Sequence, residues 1–243
     1  MRPQFPEIAA NARVSGIRAW LHVAPIWVLE EFHDTAAALG PRRIIAVSST
    51  SIATKEESPS ARERRTVAAL EAGELSAREL AARCGAPLTI FRPAMIYGTA
   101  ANRNVEVIRR WIRWFRFFPL VGTGRGRRQP VHAADVASAC IAVLDRSATF
   151  GKLYQLAGAE VIEFKDMIGR VFEAESLSPR FVRLPAGVLK AALAGFGRIP
   201  GLRFLTPAMV DRVEQDLVFD IAPARADFGY APRHFEPAPR QPS

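Results

Sequence analysis

The chain has 243 residues, 49% of them hydrophobic and 23% charged, which is enough to bury a full core and excludes a mainly disordered or low-complexity protein. Lysine and arginine number 33 against 24 aspartates and glutamates, a net charge of +9; this favours anionic partners (nucleotides, phosphates, nucleic acid or an acidic membrane surface) without choosing among them. The most apolar run, Ala19 to Leu29, is stopped by Glu30 and Glu31, and the first residues, with Arg2, Pro3, Pro6 and Glu7, do not form a secretory signal, so the expectation is a cytoplasmic protein without a spanning helix.

Arg18 to Ala24 reads as a strand and Ile26 to Leu39 as a helix ended by Gly40-Pro41. Arg43 to Ser48 is a second strand, followed by a polar loop to Ser60 and a long Ala/Glu/Arg helix over Ala61 to Cys84, stopped by Gly85. Leu88 to Phe91 is a third strand, and Arg92-Pro93 opens a loop because a residue before proline avoids helical angles. This alternation predicts βαβ units around a parallel sheet. Asn104 to Phe118 is an amphipathic helix, with Arg109, Arg110, Arg113 and Arg116 on one side and Ile108, Trp111, Ile112, Phe115 and Phe118 on the other. Either its apolar face packs into a lobe, or it lies on an anionic membrane.

Gly122 to Arg128 is a basic loop, Gln129 to Val131 an extended piece, Ala133 to Arg146 a helix, Lys152 to Leu156 a strand and Phe164 to Ala174 a helix. From Ser176 onward, Pro179, Pro185, Pro200 and Pro207 punctuate the short helices of a smaller lobe, and residues 237–243 are expected to be a disordered tail. The expected organisation is a sheet-bearing domain over 1–158, with 99–128 contributing to the lobe, and the smaller lobe over 159–236. Cys84 and Cys140 sit in apolar helical patterns and are expected as buried, reduced thiols.

In a parallel sheet, ligands bind where loops leave the carboxyl ends of the strands. Those ends carry His22-Val23-Ala24-Pro25, Val47-Ser48-Ser49-Thr50-Ser51 and Phe91-Arg92-Pro93-Ala94-Met95-Ile96-Tyr97-Gly98. Taken in order, they resemble the extended short-chain dehydrogenase/reductase family, the NAD(P)-dependent sugar epimerases and dehydratases. The resemblance continues through Gly122-x-Gly124, Gln129-Pro130-Val131-His132, Asp135-Val136-Ala137, Gln215 to Asp220 and Phe228 to Arg233. It covers about residues 17 to 236, with the atypical, complex I accessory-subunit-like branches nearest.

The resemblance implies a Rossmann-like parallel sheet with a mostly helical C-terminal lobe, NAD or NADP as cofactor, and a nucleotide or sugar-nucleotide ligand. It places Ala24, Ser48, Pro93, Ala94 and Tyr97 beside the cofactor. Ser49 falls at the catalytic serine position, and Arg127 and Arg128 at the substrate diphosphate. Read from the residues alone, Ser49 could equally cap its own turn, Tyr97 could be a packing aromatic, and Arg127 and Arg128 a solvated basic loop. Arg92 reads as structural.

Two departures weigh against ordinary family chemistry. No G-x-x-G-x-x-G turn precedes the first strand, which corresponds to the family's fourth, so the sheet is expected to lack its first βαβ units. That leaves Arg18 to Ala24 at an open edge, to be covered by the first residues, a second copy or a partner. The Tyr-x-x-x-Lys pair is also missing: counting back from Arg92 puts its positions at Thr66 and Leu70, and no tyrosine lies between Met1 and Ile96. The expectation is an atypical, catalytically impaired epimerase/dehydratase-like protein. The alternative is a membrane-peripheral or complex-associated scaffold using helix 104–118. The four histidines show no metal spacing, His132 with Asp135 reads as a tether, and no nucleic-acid-binding motif occurs.

Overall fold

The computed structural model describes residues 17–99, 103–196 and 210–237. In chain order the principal elements begin with β1 (Trp20–His22), a 3-10 helix (Ile26–Phe32) running into α1 (His33–Leu39), β2 (Ile44–Val47), α2 (Ser51–Lys55), α3 (Ala61–Cys84), β3 (Leu88–Pro93) and β4 (Ile96–Tyr97). They continue with α4 (Arg103–Phe115), β5 (Phe118–Leu120), β6 (Arg127–Arg128), β7 (Val131–His132), α5 (Ala133–Ala142) and β8 (Leu153–Leu156). The chain finishes with β9 (Ile162–Glu163), α6 (Phe164–Ala174), β10 (Phe181–Arg183), α7 (Ala186–Phe196) and α8 (Ala222–Phe228). The described residues divide into two compact units: 17–93, 136–156 and 220–230 form one, and 94–99, 103–135, 157–196, 210–219 and 231–237 the other.

The first unit holds a four-stranded sheet in the order β1-β2-β3-β8, parallel throughout. Ile44, Ile45 and Ala46 are fully buried, as expected of a parallel strand covered on both faces. Val67, Leu70, Ala77 and Leu80 of α3 pack with Ile26, Leu29 and Ile90 into one apolar cluster. Helix α3 ends where Gly85 adopts a left-handed conformation, φ 61°.

Two arginines fix the sheet internally. Arg92 on β3 donates to both carboxylate oxygens of Glu74 on α3, at 2.7 and 2.8 Å, in the structural role expected of it. Arg43, buried ahead of β2, donates to the carbonyl of Pro87 at 2.8 Å and to the hydroxyls of Thr89 and Thr149. Its guanidinium lies 4.6 Å from the centre of the Phe150 ring. Burial lowers its pKa to about 10, so it stays cationic at neutral pH without a carboxylate partner.

Among the described residues the second unit contains three two-stranded pairs, β4 with β7, β5 with β10 and β6 with β9. Val105 and Ile112 of α4 pack against Met167, Ile168, Val171 and Phe172 of α6, together with Tyr97 and Phe235. Most of the apolar face of α4 is therefore packed in protein, as the first of the two readings expects, while Phe115 at its end stays 46% exposed.

Some boundaries differ from expectation. Helix α4 ends at Phe115 rather than Phe118, because Arg116 takes φ 60° and turns the chain into β5. The segment Ile26–Phe32 winds as a 3-10 helix, since Ile26, Trp27 and Val28 are poor α-formers. Helix α5 stops at Ala142 rather than Arg146. Cys84 and Cys140 are free, and burial pushes the Cys140 thiol up to about 11. Among the described residues strand β1 pairs only with β2, and Leu21 and Val23 beside that edge are 38% and 71% exposed. The first residues, one of the covers expected for the edge, lie outside the described residues, as do 238–243 of the expected tail. Among the described residues no helix is long and apolar enough to cross a membrane.

The packing of the 3-10 helix on α3 depends on Gly73. A Cβ there would sit 2.7 Å from the carbonyl carbon of Ile26 and 2.8 Å from its oxygen. Gly73→Ala should therefore destabilise the protein by about 1–3 kcal/mol through overpacking in urea unfolding. Gly169→Ala on α6, where nothing lies within 4 Å, should gain about 0.5–1 kcal/mol of helix propensity. Equal effects at the two sites would refute the packing account.

Candidate functional site

Because the sheet is parallel, the ends of β1, β2 and β3 leave on one edge. His22 pairs with Ala46 and Val47 with Phe91, so Ala24, Ser48-Ser49 and Pro93 follow adjacent strand ends. The Ser48 N–H donates to the carbonyl of Phe91 at 2.7 Å, and Thr50 donates through both N–H and Oγ1 to the carbonyl of Pro93 at 3.1 Å. The turn after β2 is thus clamped to the end of β3.

Ser48 is only 8% exposed, and its hydroxyl is buried without a hydrogen-bond partner. The Ser49 hydroxyl accepts the N–H of Ser51 at 3.1 Å. It therefore caps its own turn and keeps its hydroxyl hydrogen available to donate. Ala24 is exposed and Pro93 buried. His22 is buried, with Nε2 3.3 Å from the carbonyl of Pro25, and burial lowers its pKa.

Glu74 fixes the phase of α3, and Leu70 and Thr66 lie four and eight residues before it on the same helix face. The Thr66 hydroxyl donates to the carbonyl of Arg62 at 3.1 Å, and Leu70 is buried in the apolar cluster. Neither supplies a phenol or an ammonium. The chain has three tyrosines, Tyr97, Tyr154 and Tyr230. Burial raises the pKa of Tyr97 and, with the help of Asp227, that of Tyr154, the opposite of what a tyrosine base requires.

In the second unit, Ala94 is buried and leads into β4, and Tyr97 is 2% exposed. The Tyr97 ring packs edge-on to His132 and Phe235, at 5.0 and 4.8 Å. Its hydroxyl donates to the carbonyl of His234 at 2.9 Å and accepts the N–H of Glu236, the arrangement of a packing aromatic. Asp135 accepts the backbone N–H and side chain of Arg233 at 3.0 and 2.9 Å. His132 Nδ1 accepts the N–H of Ala134. These two residues tether their segments, as expected.

The basic glycine loop is occupied by the protein itself. The Glu214 carboxylate accepts the N–H groups of Thr123 and Gly124 at 2.8 and 2.7 Å and the Thr123 hydroxyl at 2.9 Å. Gly122 and Gly124 both have positive φ, so the turn forms a backbone anion nest already holding a carboxylate. Arg127 pairs with Asp216 at 2.7 and 2.9 Å. Arg128 is buried, donates to the carbonyls of Arg127, Gln215 and Arg212, and lies 5.2 Å from the centre of the Phe164 ring. Burial lowers its pKa to about 10. Glu214 and Asp216 were not singled out from the sequence; the one available signal was a pair of carboxylates flanking Gln215 in a basic chain.

These residues fit NAD(P) in part. An unpartnered hydroxyl and a proline line the carboxyl edge of the sheet. Among the described residues, however, no glycine-rich strand-to-helix turn is present to take a pyrophosphate, and Gly122 to Gly126 is closed on Glu214. No group of three or more metal-ligating side chains occurs among the described residues.

A parallel sheet with hydroxyl-bearing turns at its carboxyl edge places the protein in the Rossmann-like α/β class. Residues 26–157, more than half of the chain, match the model of the NAD dependent epimerase/dehydratase family, and the protein belongs to that family. It is 28% identical over 209 residues to the "Uncharacterized protein y4nG" of Sinorhizobium fredii, covering 83% of this chain and 52% of that one. It is 35% identical over 107 residues to the mitochondrial NADH dehydrogenase [ubiquinone] 1 alpha subcomplex subunit 9 of Arabidopsis thaliana, over 44% of this chain and 26% of the relative. The chain thus spans about half the length of the first of these relatives and about a quarter of the second.

Among solved structures, the epimerase Mth375 of Methanothermobacter thermautotrophicus superposes with a TM-score of 0.65 at 16% identity, over 90% of this chain and 69% of that one. The UDP-glucuronic acid 4-epimerase of Bacillus cereus, in complex with UDP-glucuronic acid and NAD, gives 0.61 at 17% identity, over 86% and 62%.

The segment closing over Tyr97 has a built-in acid sensitivity. Glu160 accepts from Arg170 and from the N–H of Phe235 at 2.7 Å, and Arg170 holds its carboxyl below the ordinary value of 4.5. With the folded pKa below the unfolded one, its stabilisation is complete above pH 4.5 and is lost as pH falls through the folded value. Glu160→Gln should flatten the acid limb of the stability–pH curve, followed by near-UV circular dichroism; an unchanged slope would contradict this assignment.

Proposed function

We propose that the protein binds a nucleotide or sugar nucleotide of the NAD(P) or nucleoside-diphosphate-sugar type at the carboxyl edge of its sheet, and does not turn it over by the family's proton-transfer route. The observation that carries this reading is the Ser48 hydroxyl, buried and unpartnered at the end of β2. A polar group left in that state costs about 1–3 kcal/mol, and a ligand oxygen or amide at the strand end would relieve it. Ser49 is oriented by Ser51 and donates its hydroxyl hydrogen to a ligand oxygen. Pro93 and Ala24 supply the apolar wall.

Family membership supports the ligand class, and the epimerase of similar fold that holds UDP-glucuronic acid and NAD supports the choice of nucleotide. Against turnover stand Thr66, bonded to its own helix, and Leu70, buried in the core. With no phenol made acidic by a neighbouring ammonium at these two positions, the family's route for the proton that accompanies hydride transfer is missing. The NAD(P) dinucleotide, were it bound, would supply hydride chemistry; the residues described would hold only the part of it that lies at the strand ends.

Calorimetric titration with UDP-glucose and with NADH tests the reading. At least one should bind saturably, and Ser48→Ala should weaken that binding roughly tenfold while leaving the ligand-free protein as stable or more stable. Opposite signs in affinity and stability separate a ligand contact from a structural hydroxyl. Equal affinity in the variant, or appearance of reduced nicotinamide or an epimerised sugar when UDP-glucose is mixed with NAD, would overturn the proposal.

A further inference from the structure

The end of α4 presents a surface that neither the nucleotide site nor the core uses. Its apolar stripe is consumed internally, yet Trp114 and Phe115 remain 64% and 46% exposed. Arg110 lies one turn before Trp114 on the same outward face, and Arg116 follows directly at the positive-φ turn; both are exposed. The N–H of Phe118 donates to the carbonyl of Arg180 at 2.8 Å, and Phe181 pairs with Phe118 and Val182 with Pro119. This brings exposed Arg180 and Val182 beside the aromatic turn.

The arginines are electrostatically uncompensated. Of the carboxylates close to this side of α4, Glu175 is already taken by Arg109 at 2.8 Å and Arg113 at 3.7 Å, and Glu106 by Arg109 at 3.6 Å. Among the described residues, Arg110, Arg116 and Arg180 form no ion pair.

We infer that this surface docks the protein onto an anionic phospholipid bilayer, with Trp114 and Phe115 seated among the headgroups and Arg110, Arg116 and Arg180 on lipid phosphates. The chemistry matches on both counts. An indole or phenyl ring ringed by guanidinium groups suits the headgroup layer, where aromatic bodies partition and cations meet negative surface potential. A single-stranded nucleic acid would instead need open ring faces for base stacking. Here Phe115 is packed against Trp111 at 4.4 Å and close to Phe117 at 6.3 Å, so Trp114 alone offers an open face and no row of platforms for successive bases is built. The inference is independent of nucleotide binding.

Cosedimentation with vesicles of phosphatidylcholine alone, and of phosphatidylcholine with phosphatidylglycerol, decides it. The wild-type chain should pellet only with the anionic vesicles, and less at high salt. R110E/R116E should lower the partition coefficient at least tenfold. W114A/F115A should lower it by a similar factor while retaining full binding to heparin, a soluble polyanion. Absence of wild-type binding to anionic vesicles would overturn the inference. So would vesicle binding that W114A/F115A leaves intact, which would make the patch a general polyanion surface. All four altered side chains are exposed, so thermal melts should match wild type; if a variant fails to fold, the comparison of wild-type protein on the two vesicle types decides alone.

Discussion

The two hydrogen bonds from Arg92 to Glu74 set the phase of the longest helix against the sheet. Glu74 is almost wholly buried and Arg92 mostly so, and removing one partner from such a pair costs about 3–5 kcal/mol because the other is left uncompensated. The helix therefore cannot rotate to present another face. What lies four and eight residues earlier is fixed by the same contact, and Leu70 and Thr66 occupy the positions where the family resemblance expects lysine and tyrosine. The clamp that organises the sheet thus also fixes that Leu70 and Thr66, rather than a lysine and a tyrosine, stand at those two positions of α3.

A different constraint governs the second unit. Its basic loop, which the family resemblance assigns to a diphosphate, is satisfied by carboxylates and carbonyls of the segment from Arg212 to Asp216. The two arginines there are not equivalent. Arg127 and Asp216 form an exposed, screened pair that a phosphate can exchange readily. Arg128 is buried against three carbonyls and an aromatic ring, and releasing it would strip all of those contacts at once. Of the two candidate substrate residues, Arg127 alone is placed to meet a ligand without local rearrangement.

Much of this was legible locally. Helices α3 and α6 fall on their expected boundaries because each has a long periodic apolar stripe and, for α3, a glycine to end it. The three strands that line the carboxyl edge follow from short apolar runs, β-branched in β2 and β3, ahead of turn residues. What could not be read depends on contacts distant in sequence. The left-handed turn at Arg116 occurs at a residue with no intrinsic preference for it, in a stretch whose amphipathic pattern continues to Phe118. Glu214 closes a loop about ninety residues away, and nothing near Gly122 announces it. The burial of Tyr97 comes from Phe235 and His234 at the far end of the chain, so composition alone left open whether its phenol would be free.

Leu70 shows why the frame persists without the pair that gives the family its chemistry. Burying a leucine stabilises a fold by about 1.5–3 kcal/mol, and Leu70, 4% exposed among Ile26, Val67 and Ala77, draws on most of that. A lysine at the same place would have to desolvate its ammonium or carry a strongly lowered pKa, a cost accepted where the charge does chemistry. With Thr66 hydrogen-bonded back to its own helix, there is no phenol for such an ammonium to activate. Under the proposed reading the position is then free to serve the core. Ser48 has not followed the same course: its hydroxyl stays buried and unsatisfied where alanine would stabilise the fold. Under the proposed reading, a polar cost carried at the edge of the sheet and absent from α3 suits a site that binds without transferring protons.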